Sequence, residues 1–287
     1  MKVGFIGLGV MGRPMALHLQ AAGYALHVWA RRPQSAEGLP ATVHATPAAL
    51  GAACDVVFTV ITSSADVEGV ALGENGLIHG LRPDSILVDC STIAPEAARR
   101  IAGRLAEKGI HMLDAPVSGG AQGAIDATLA IMAGGEAAVL ERVRPLLECL
   151  GKRIVHIGPN GAGQVAKACN QMIMVAAIQA AAEAMRLAAA SGVDCGKVCE
   201  ALAGGSAGSR VLDVMGQRMV ERNFAAGIEA RLHHKDYGLV LEAARKSGVP
   251  VPLTAAVAQQ LNALMALGWG KDDTASLLRV LEASGCS

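Results

Sequence analysis

The chain has 287 residues, 52% of them hydrophobic and 2% aromatic, and 25 basic residues balance 25 acidic ones. This length suggests one large domain or two ordinary ones, and a neutral, aromatic-poor chain without a basic patch is unlike a nucleic-acid-binding protein. The chain starts directly in a strand pattern, so we expect no signal peptide. Its seven cysteines follow no disulfide framework or metal-ligand spacing, so we expect reduced thiols, no metal and a cytoplasmic location.

The first predicted strand, Lys2–Ile6, leads into a glycine-rich turn and then a helix pattern over Arg13–Ala22. In this order, the first glycine allows a tight turn, the second lets the backbone approach a pyrophosphate, and the third lets the helix pack closely on the strand. The helix N-terminus adds N–H groups and a partial positive charge for the phosphates. We therefore predict that the turn binds a dinucleotide through Gly7, Leu8, Gly9, Val10, Met11 and Gly12.

The second predicted strand, Ala25–Ala30, is followed by Arg31 and Arg32. An acidic residue at this point would hold the ribose 2′-hydroxyl of NAD. Two guanidinium groups instead suit the 2′-phosphate of NADP, because their planar donors match phosphate oxygens. The sequence thus favours NADP as cofactor, with NAD possible.

Strands and helices then alternate as far as Asn160, which indicates a doubly wound, Rossmann-type α/β domain over residues 1–160. Polar or glycine-rich segments follow the strand ends, where open sheets bind cofactors. One of them, Ala115–Gly120, is rich in backbone N–H groups and resembles an anion-binding nest for a substrate carboxylate. The later strands are predicted at Asp55–Ile61, Ser85–Cys90, His111–Asp114, Ala127–Met132 and Ile154–Ile157, and the helices at Pro47–Ala53, Ser63–Leu72, Pro95–Lys108 and Ala137–Leu150.

A long stretch without proline, Gly161–Gly192, predicts a helix of roughly 45 Å at about 1.5 Å per residue. It joins the first domain to an all-α domain over residues 161–287. Polar residues interrupt it too often for a membrane span, and a helix apolar on nearly every side must be buried by the chain and a second subunit. The remaining helices are predicted at Asp194–Ala203, Val211–Arg222, His233–Ser247, Pro252–Ala266 and Asp273–Ala283.

Two polar residues break the apolar pattern early in this helix. Lys167 and Asn170 are three residues apart and therefore share a face. A lysine on a mostly buried helix is costly unless it has a task. The alternative is a lysine whose stem lies on apolar surface while its ammonium stays in water.

Four separated segments resemble the β-hydroxyacid dehydrogenases, and the resemblance covers essentially the whole chain. The segments are Gly4–Gly12, Asp114–Gly120, Gly161–Gln171 and Leu232–Asp236. The resemblance implies that Lys167 is the catalytic lysine and that Asn170 helps to hold the substrate oxygen. It further implies a carboxylate-binding loop formed by Ser118, Gly119 and Gly120, and cofactor contacts from Ile61, Thr92 and Lys235.

Finer segments resemble the tartronate semialdehyde reductase branch of that family: Gly208–Asp213, Arg222–Phe224 and Val251–Val257. This resemblance implies NAD(P)H-dependent reduction of tartronate semialdehyde to D-glycerate, with Lys167 as proton donor, by a homodimer or homotetramer. Two alternatives within the family stay open: a 3-hydroxyisobutyrate dehydrogenase and a broad succinic or glyoxylic semialdehyde reductase. A third, from another class, is a dinucleotide-binding module without turnover.

Overall fold

The computed structural model describes residues 1–284, which form two compact units, Met1–Lys167 and a second from Ala168 onward. The expected boundary after residue 160 lies earlier than this division. The residues between the two boundaries form the start of the long helix. There the amides of Gly161 and Gln164 donate hydrogen bonds to the carboxylate of Asp114. The beginning of that helix is therefore fixed within the first unit.

The first unit contains a sheet of nine strands, formed by the described residues in the order β3-β2-β1-β4-β5-β6-β8-β7, with β9 paired to β8. Strands β1 to β6 are parallel, and β8 is antiparallel to β6 and β7. The order 3-2-1-4-5-6 is that of dinucleotide-binding folds, which confirms the predicted fold class. The strands are β1 Lys2–Ile6, β2 Ala25–Trp29, β3 Thr42–Val43, β4 Val56–Thr59, β5 Ile86–Asp89, β6 His111–Asp114, β7 Val117–Ser118, β8 Leu129–Gly134 and β9 Gly151–Gly158.

Helices cover both faces of this sheet because its central strands are apolar on both sides. Phe5 points to the face covered by α1 and α6, and its ring stacks on that of Phe58 with centroids 6.0 Å apart. Its neighbour Ile6 points to the opposite face, which packs against α2, α3 and α4. The helices of this unit are α1 Gly12–Ala21, α2 Pro47–Ala53, α3 Ser64–Leu72, α4 Pro95–Ala106, α5 Gly120–Ile125 and α6 Ala137–Glu148.

The second unit is helical in its described part, as expected. Tyr237 is buried in its core and donates a hydrogen bond to the carbonyl of Met172, which ties two helices together. The helix predicted over Val211–Arg222 instead contains the π-helical segment Leu212–Gly216 before α9. The helices, the first of which begins in the first unit, are α7 Ala162–Ala190, α8 Cys195–Ala203, α9 Gln217–Val220, α10 Ala230–Ser247, α11 Pro252–Ala266 and α12 Leu277–Ser284.

Helix α7 is not covered on every side by its own chain. The side chains of Ile173 and Leu187 are 74% and 69% exposed. By length and composition alone α7 meets the criterion for a membrane-spanning helix, which the core helices of other proteins also meet. The expectation that its own chain and a second subunit together bury α7 stays a prediction, since these exposed apolar side chains still require a second surface to cover them.

Candidate active site

Four parallel strands end level with one another at the carboxyl edge of the sheet. Ile6, Thr59, Asp89 and Asp114 are register partners across β1, β4, β5 and β6. The segments that follow these strands therefore leave the sheet at the same edge, which is where open α/β sheets bind ligands. The predicted site residues of the first unit in those segments are Gly7 to Gly12, Ile61, Thr92 and Ser118 to Gly120.

The turn after β1 contains three glycines, and each position suits glycine for a different structural reason. Gly7 has φ +100°, and a Cβ there would lie 2.1 Å from the carbonyl oxygen of Val60. A Cβ at Gly12 would lie 1.8 Å from the carbonyl oxygen of Gly7, so α1 packs directly on the turn. A Cβ at Gly9 would meet no protein atom within 4 Å. Gly9 thus borders open space, as a backbone that a pyrophosphate approaches must.

The N-terminus of α1 is available to an anion. No side chain caps it, and its first turn carries no acidic residue. Arg13, in that turn, donates instead to the carbonyl oxygens of Ser35 and Glu37 and so holds the segment after β2. Together with the open backbone at Gly9, these features fit the pyrophosphate of a dinucleotide.

Both arginines after β2 are exposed, and one already has an acidic partner. Arg31 pairs with Asp66 of α3, with a distance of 3.2 Å between Nη1 and Oδ1. The sequence at this strand end shows no acidic residue, and the partner of Arg31 comes from a distant segment. An ion pair this exposed contributes about 0–1 kcal/mol, so a phosphate can compete for the guanidinium.

The ends of β4 and β5 are tied together beside the predicted cofactor residues. The amide of Ile61 donates to Ser91 Oγ over 2.8 Å, and the Ser91 amide donates to Asp89 Oδ1 over 3.2 Å. Burial raises the pKa of Asp89 to about 6, although hydrogen bonds from Ser91 and Thr59 oppose the shift. This network fixes the backbone at the amide of Ile61 and next to Thr92.

The segment after β6 is more regular than expected. The sequence suggests a flexible anion-binding nest over Ala115–Gly120. In the structure, Val117–Ser118 forms β7, which pairs with β8, and Gly120 begins α5. Gly119 and Gly120 have φ values of +143° and +65°. Residues with a side chain rarely adopt two such conformations in succession, so the backbone here requires glycine.

Lys167 is 7% exposed and lies in the first turns of α7. The start of this helix is held by Asp114, which accepts hydrogen bonds from two of its amides, and by the Gln164 carboxamide. Gln164 accepts from the Ile93 amide and donates to the Ser91 carbonyl over 3.1 Å and 2.8 Å. Burial raises the pKa of Asp114. The hydrogen bonds it accepts lower that pKa, those from the Gly161 and Gln164 amides most of all. The sequence prediction gave neither residue a role, although Asp114 lies in the segment Asp114–Gly120 and Gln164 in Gly161–Gln171.

In the second unit, a short chain of hydrogen bonds joins Asn170 to Lys235. Asn170 Nδ2 donates to Gln171 Oε1 over 2.8 Å, and Gln171 Nε2 donates to Asp236 Oδ2 over 2.6 Å. The other carboxylate oxygen, Oδ1, lies 2.9 Å from Lys235 Nζ. Two predicted site residues are thus connected through Asp236 and through Gln171, which the sequence prediction did not single out.

Two family models together match almost the whole chain. Residues 2–158 match the NAD binding domain of 6-phosphogluconate dehydrogenase. Residues 161–281 match the NAD-binding domain of NADP-dependent 3-hydroxyisobutyrate dehydrogenase. The chain belongs to the NAD(P)-dependent β-hydroxyacid dehydrogenases.

Relatives within this family resemble the chain over nearly its full length. It is 42% identical to a 2-hydroxy-3-oxopropionate reductase of Escherichia coli, covering 98% of this chain and 97% of the relative. It is 39% identical to an NAD-dependent L-serine dehydrogenase of Pseudomonas aeruginosa, covering 95% of each. A solved 3-hydroxyisobutyrate dehydrogenase of Mycobacterium tuberculosis, with L-serine, is 31% identical and superposes with a TM-score of 0.89 over 98% of both chains.

The family membership makes this protein an oxidoreductase that uses a nicotinamide dinucleotide, and its homologues act on small hydroxyacids. The glycine turn and the uncapped α1 described above fit that cofactor. Within residues 1–284, no three His, Cys, Asp or Glu side chains are grouped as metal ligands would be.

Proposed function

We propose that this dehydrogenase reduces tartronate semialdehyde to D-glycerate. The observation that carries the proposal is a buried lysine, Lys167, on a helix whose start is fixed by two side chains. The 42% identity to a 2-hydroxy-3-oxopropionate reductase supports this substrate over other short semialdehyde acids.

In the proposed mechanism, a nicotinamide dinucleotide held at the glycine turn after β1 would supply the hydride that reduces the aldehyde carbon. The ammonium of Lys167 donates a proton to the aldehyde oxygen, which otherwise would become an alkoxide. Asn170, one helical turn further along α7, holds that oxygen in position. The backbone N–H groups of Ser118 to Gly120 bind the substrate carboxylate and so favour short acids. In the reverse direction the neutral amine of Lys167 accepts the hydroxyl proton.

Initial rates on a panel of substrates test this proposal. We expect kcat/KM for tartronate semialdehyde to exceed that for succinic and methylmalonic semialdehydes by at least about tenfold, because the loop fixes the distance from carboxylate to reacting carbon. A flat profile would instead indicate a broad semialdehyde reductase. Because one relative is named an L-serine dehydrogenase, oxidation of L-serine belongs in the same panel. A preference for L-serine would contradict the proposed substrate.

The same panel, run with NADPH and with NADH, tests the cofactor preference. We propose that NADP is preferred because Arg31 and Arg32 are exposed at the end of β2, where a 2′-phosphate would lie. The expected result is a higher kcat/KM with NADPH that falls as salt concentration rises, since exposed charges are screened. A higher kcat/KM with NADH would overturn this preference.

We also propose that two or four copies of the chain associate through α7. The support is the exposure of Ile173 and Leu187, apolar side chains on a helix of 29 residues. Sedimentation equilibrium should give a mass of two or four times 29.2 kDa, and Ile173→Glu should lower it. A monomeric wild-type protein would contradict the association.

A cytoplasmic location belongs to the same proposal. It is supported by six cysteines without disulfide partners, Cys54, Cys90, Cys149, Cys169, Cys195 and Cys199. The seventh, Cys286, lies outside the described residues.

A further inference from the structure

Gln171 lies within the hydrogen-bond chain from Asn170 to Lys235, and the proposed mechanism gives it no role. Its side chain is 3% exposed and that of Asp236 is 6% exposed, so bulk water does not compete for their hydrogen bonds. The two groups lie on α7 and α10, 65 residues apart in sequence, and are joined by a 2.6 Å hydrogen bond. A buried carboxamide in such a contact has a defined orientation.

The carboxylate of Asp236 decides which way the Gln171 carboxamide faces. A carboxylate paired with the ammonium of Lys235 accepts hydrogen bonds and donates none. If the Gln171 carboxamide were rotated by half a turn, its oxygen would face a carboxylate oxygen in a buried site, which is unfavourable. Gln171 therefore presents Nε2 to Asp236 and Oε1 to its other neighbour.

The same reasoning extends one step further, to Asn170. Since Gln171 offers an oxygen, Asn170 must offer its Nδ2 group to it, as the 2.8 Å contact shows. The charge of the Asp236 carboxylate, two hydrogen bonds away, thus determines which way the Asn170 carboxamide faces. Its Oδ1 and its second Nδ2 hydrogen are directed to other positions than Gln171.

We propose that Gln171 is a positioning residue, which fixes the orientation of the Asn170 carboxamide according to the charge of the Lys235–Asp236 pair. Gln171 itself contacts neither substrate nor cofactor in this role. The inference rests on the proposed function, because it assumes that Asn170 holds the substrate oxygen. It adds a specific requirement: residue 171 must donate toward residue 236 and accept from residue 170.

Exchange of the two side-chain types tests this requirement. Gln171→Glu places two carboxylates together, and Asp236→Asn removes the charge that orients Gln171. In the double variant Gln171→Glu/Asp236→Asn, the new asparagine donates to the new glutamate, which still accepts from Asn170, and the net charge of the pair is unchanged. We expect each single variant to lose about tenfold in kcat, the effect of one hydrogen bond, and the double variant to recover to within about threefold of wild type.

Gln171→Met serves as the matched control because it fills the same space without a donor or an acceptor. Measured at saturating cofactor, it should lose kcat as the single variants do, with a near-normal unfolding temperature. A double variant that is folded and as slow as the single variants would overturn the inference, as would full activity in Gln171→Met.

A readout without substrate separates this inference from the proposed function. The side-chain amide signal of Asn170 in ¹⁵N–¹H spectra, assigned by its loss in Asn170→Asp, should shift in Asp236→Asn and return in the double variant. If wild type reduces no semialdehyde but the signal behaves in this way, the proposed function fails and the orienting role of Gln171 stands. An Asn170 signal that is the same in all variants contradicts the orienting role.

Discussion

Replacement of Lys167 by alanine is expected to lower kcat/KM for the semialdehyde by about 10²–10⁴-fold, the usual contribution of a positioned proton donor. The loss corresponds to about 3–5 kcal/mol of transition-state stabilisation. Dinucleotide affinity should stay near that of wild type, because the glycine turn after β1 and the N-terminus of α1 do not involve Lys167. Steady-state rates together with titration of NADPH fluorescence measure both quantities.

Two further variants separate the charge of Lys167 from its packing. Lys167→Met keeps most of the buried aliphatic stem, so it should be as inactive as the alanine variant and more stable to unfolding. Lys197, which is exposed on α8, provides the control for loss of a lysine elsewhere. Retention of most of the activity in Lys167→Met would rule out the role of proton donor.

Gly9→Val is expected to weaken dinucleotide binding by about a hundredfold, or ~2.7 kcal/mol, with little change in the free energy of unfolding. The reason is geometric: a Cβ at Gly9 meets no protein atom within 4 Å, so the added side chain occupies space outside the fold. That space is where the pyrophosphate of the cofactor would lie. Isothermal titration with NADP and urea unfolding of the free protein give the two values.

Gly12→Ala is the matched comparison because the added atom would lie 1.8 Å from the carbonyl oxygen of Gly7. This substitution should lower the free energy of unfolding as well as cofactor affinity, since the backbone of the turn must move. If Gly9→Val left cofactor affinity unchanged, the turn would not be the pyrophosphate site. A Gly9→Val protein that unfolds as readily as Gly12→Ala would contradict the open space at Gly9.

The elements that could be predicted from the sequence are those with strong local signals. The strands Lys2–Ile6 and His111–Asp114 and the helices Pro47–Ala53 and Pro252–Ala266 have the predicted bounds. Each has a compact apolar run or a proline at its first helical turn. The strands β3 and β7 were not predicted. Two residues are too few to show an alternating pattern, and their pairing depends on a partner strand.

The site could be predicted only where its residues form a local motif. The glycine turn is one continuous segment, and the local geometry at its three glycines agrees with the reason expected for each. Gln164 and Gln171 escaped prediction because their partners, Ser91 and Asp236, lie 73 and 65 residues away. The partner of Arg31 was missed for the same reason, since Asp66 reaches it from the next strand–helix unit of the sheet. Such pairings depend on how distant segments of the chain pack together, which local sequence does not show.

Because Asp114 holds the start of α7, a tilt of this helix about that end displaces its two ends unequally. At about 1.5 Å per residue, Lys167 lies about 8 Å from Ala162 and Ala190 about 42 Å from it. A tilt of about 5° about the capped end would move Ala190 by about 4 Å but Lys167 by less than about 1 Å. Lys167 therefore moves little even when the distant end of the helix adapts to a surface that packs against it.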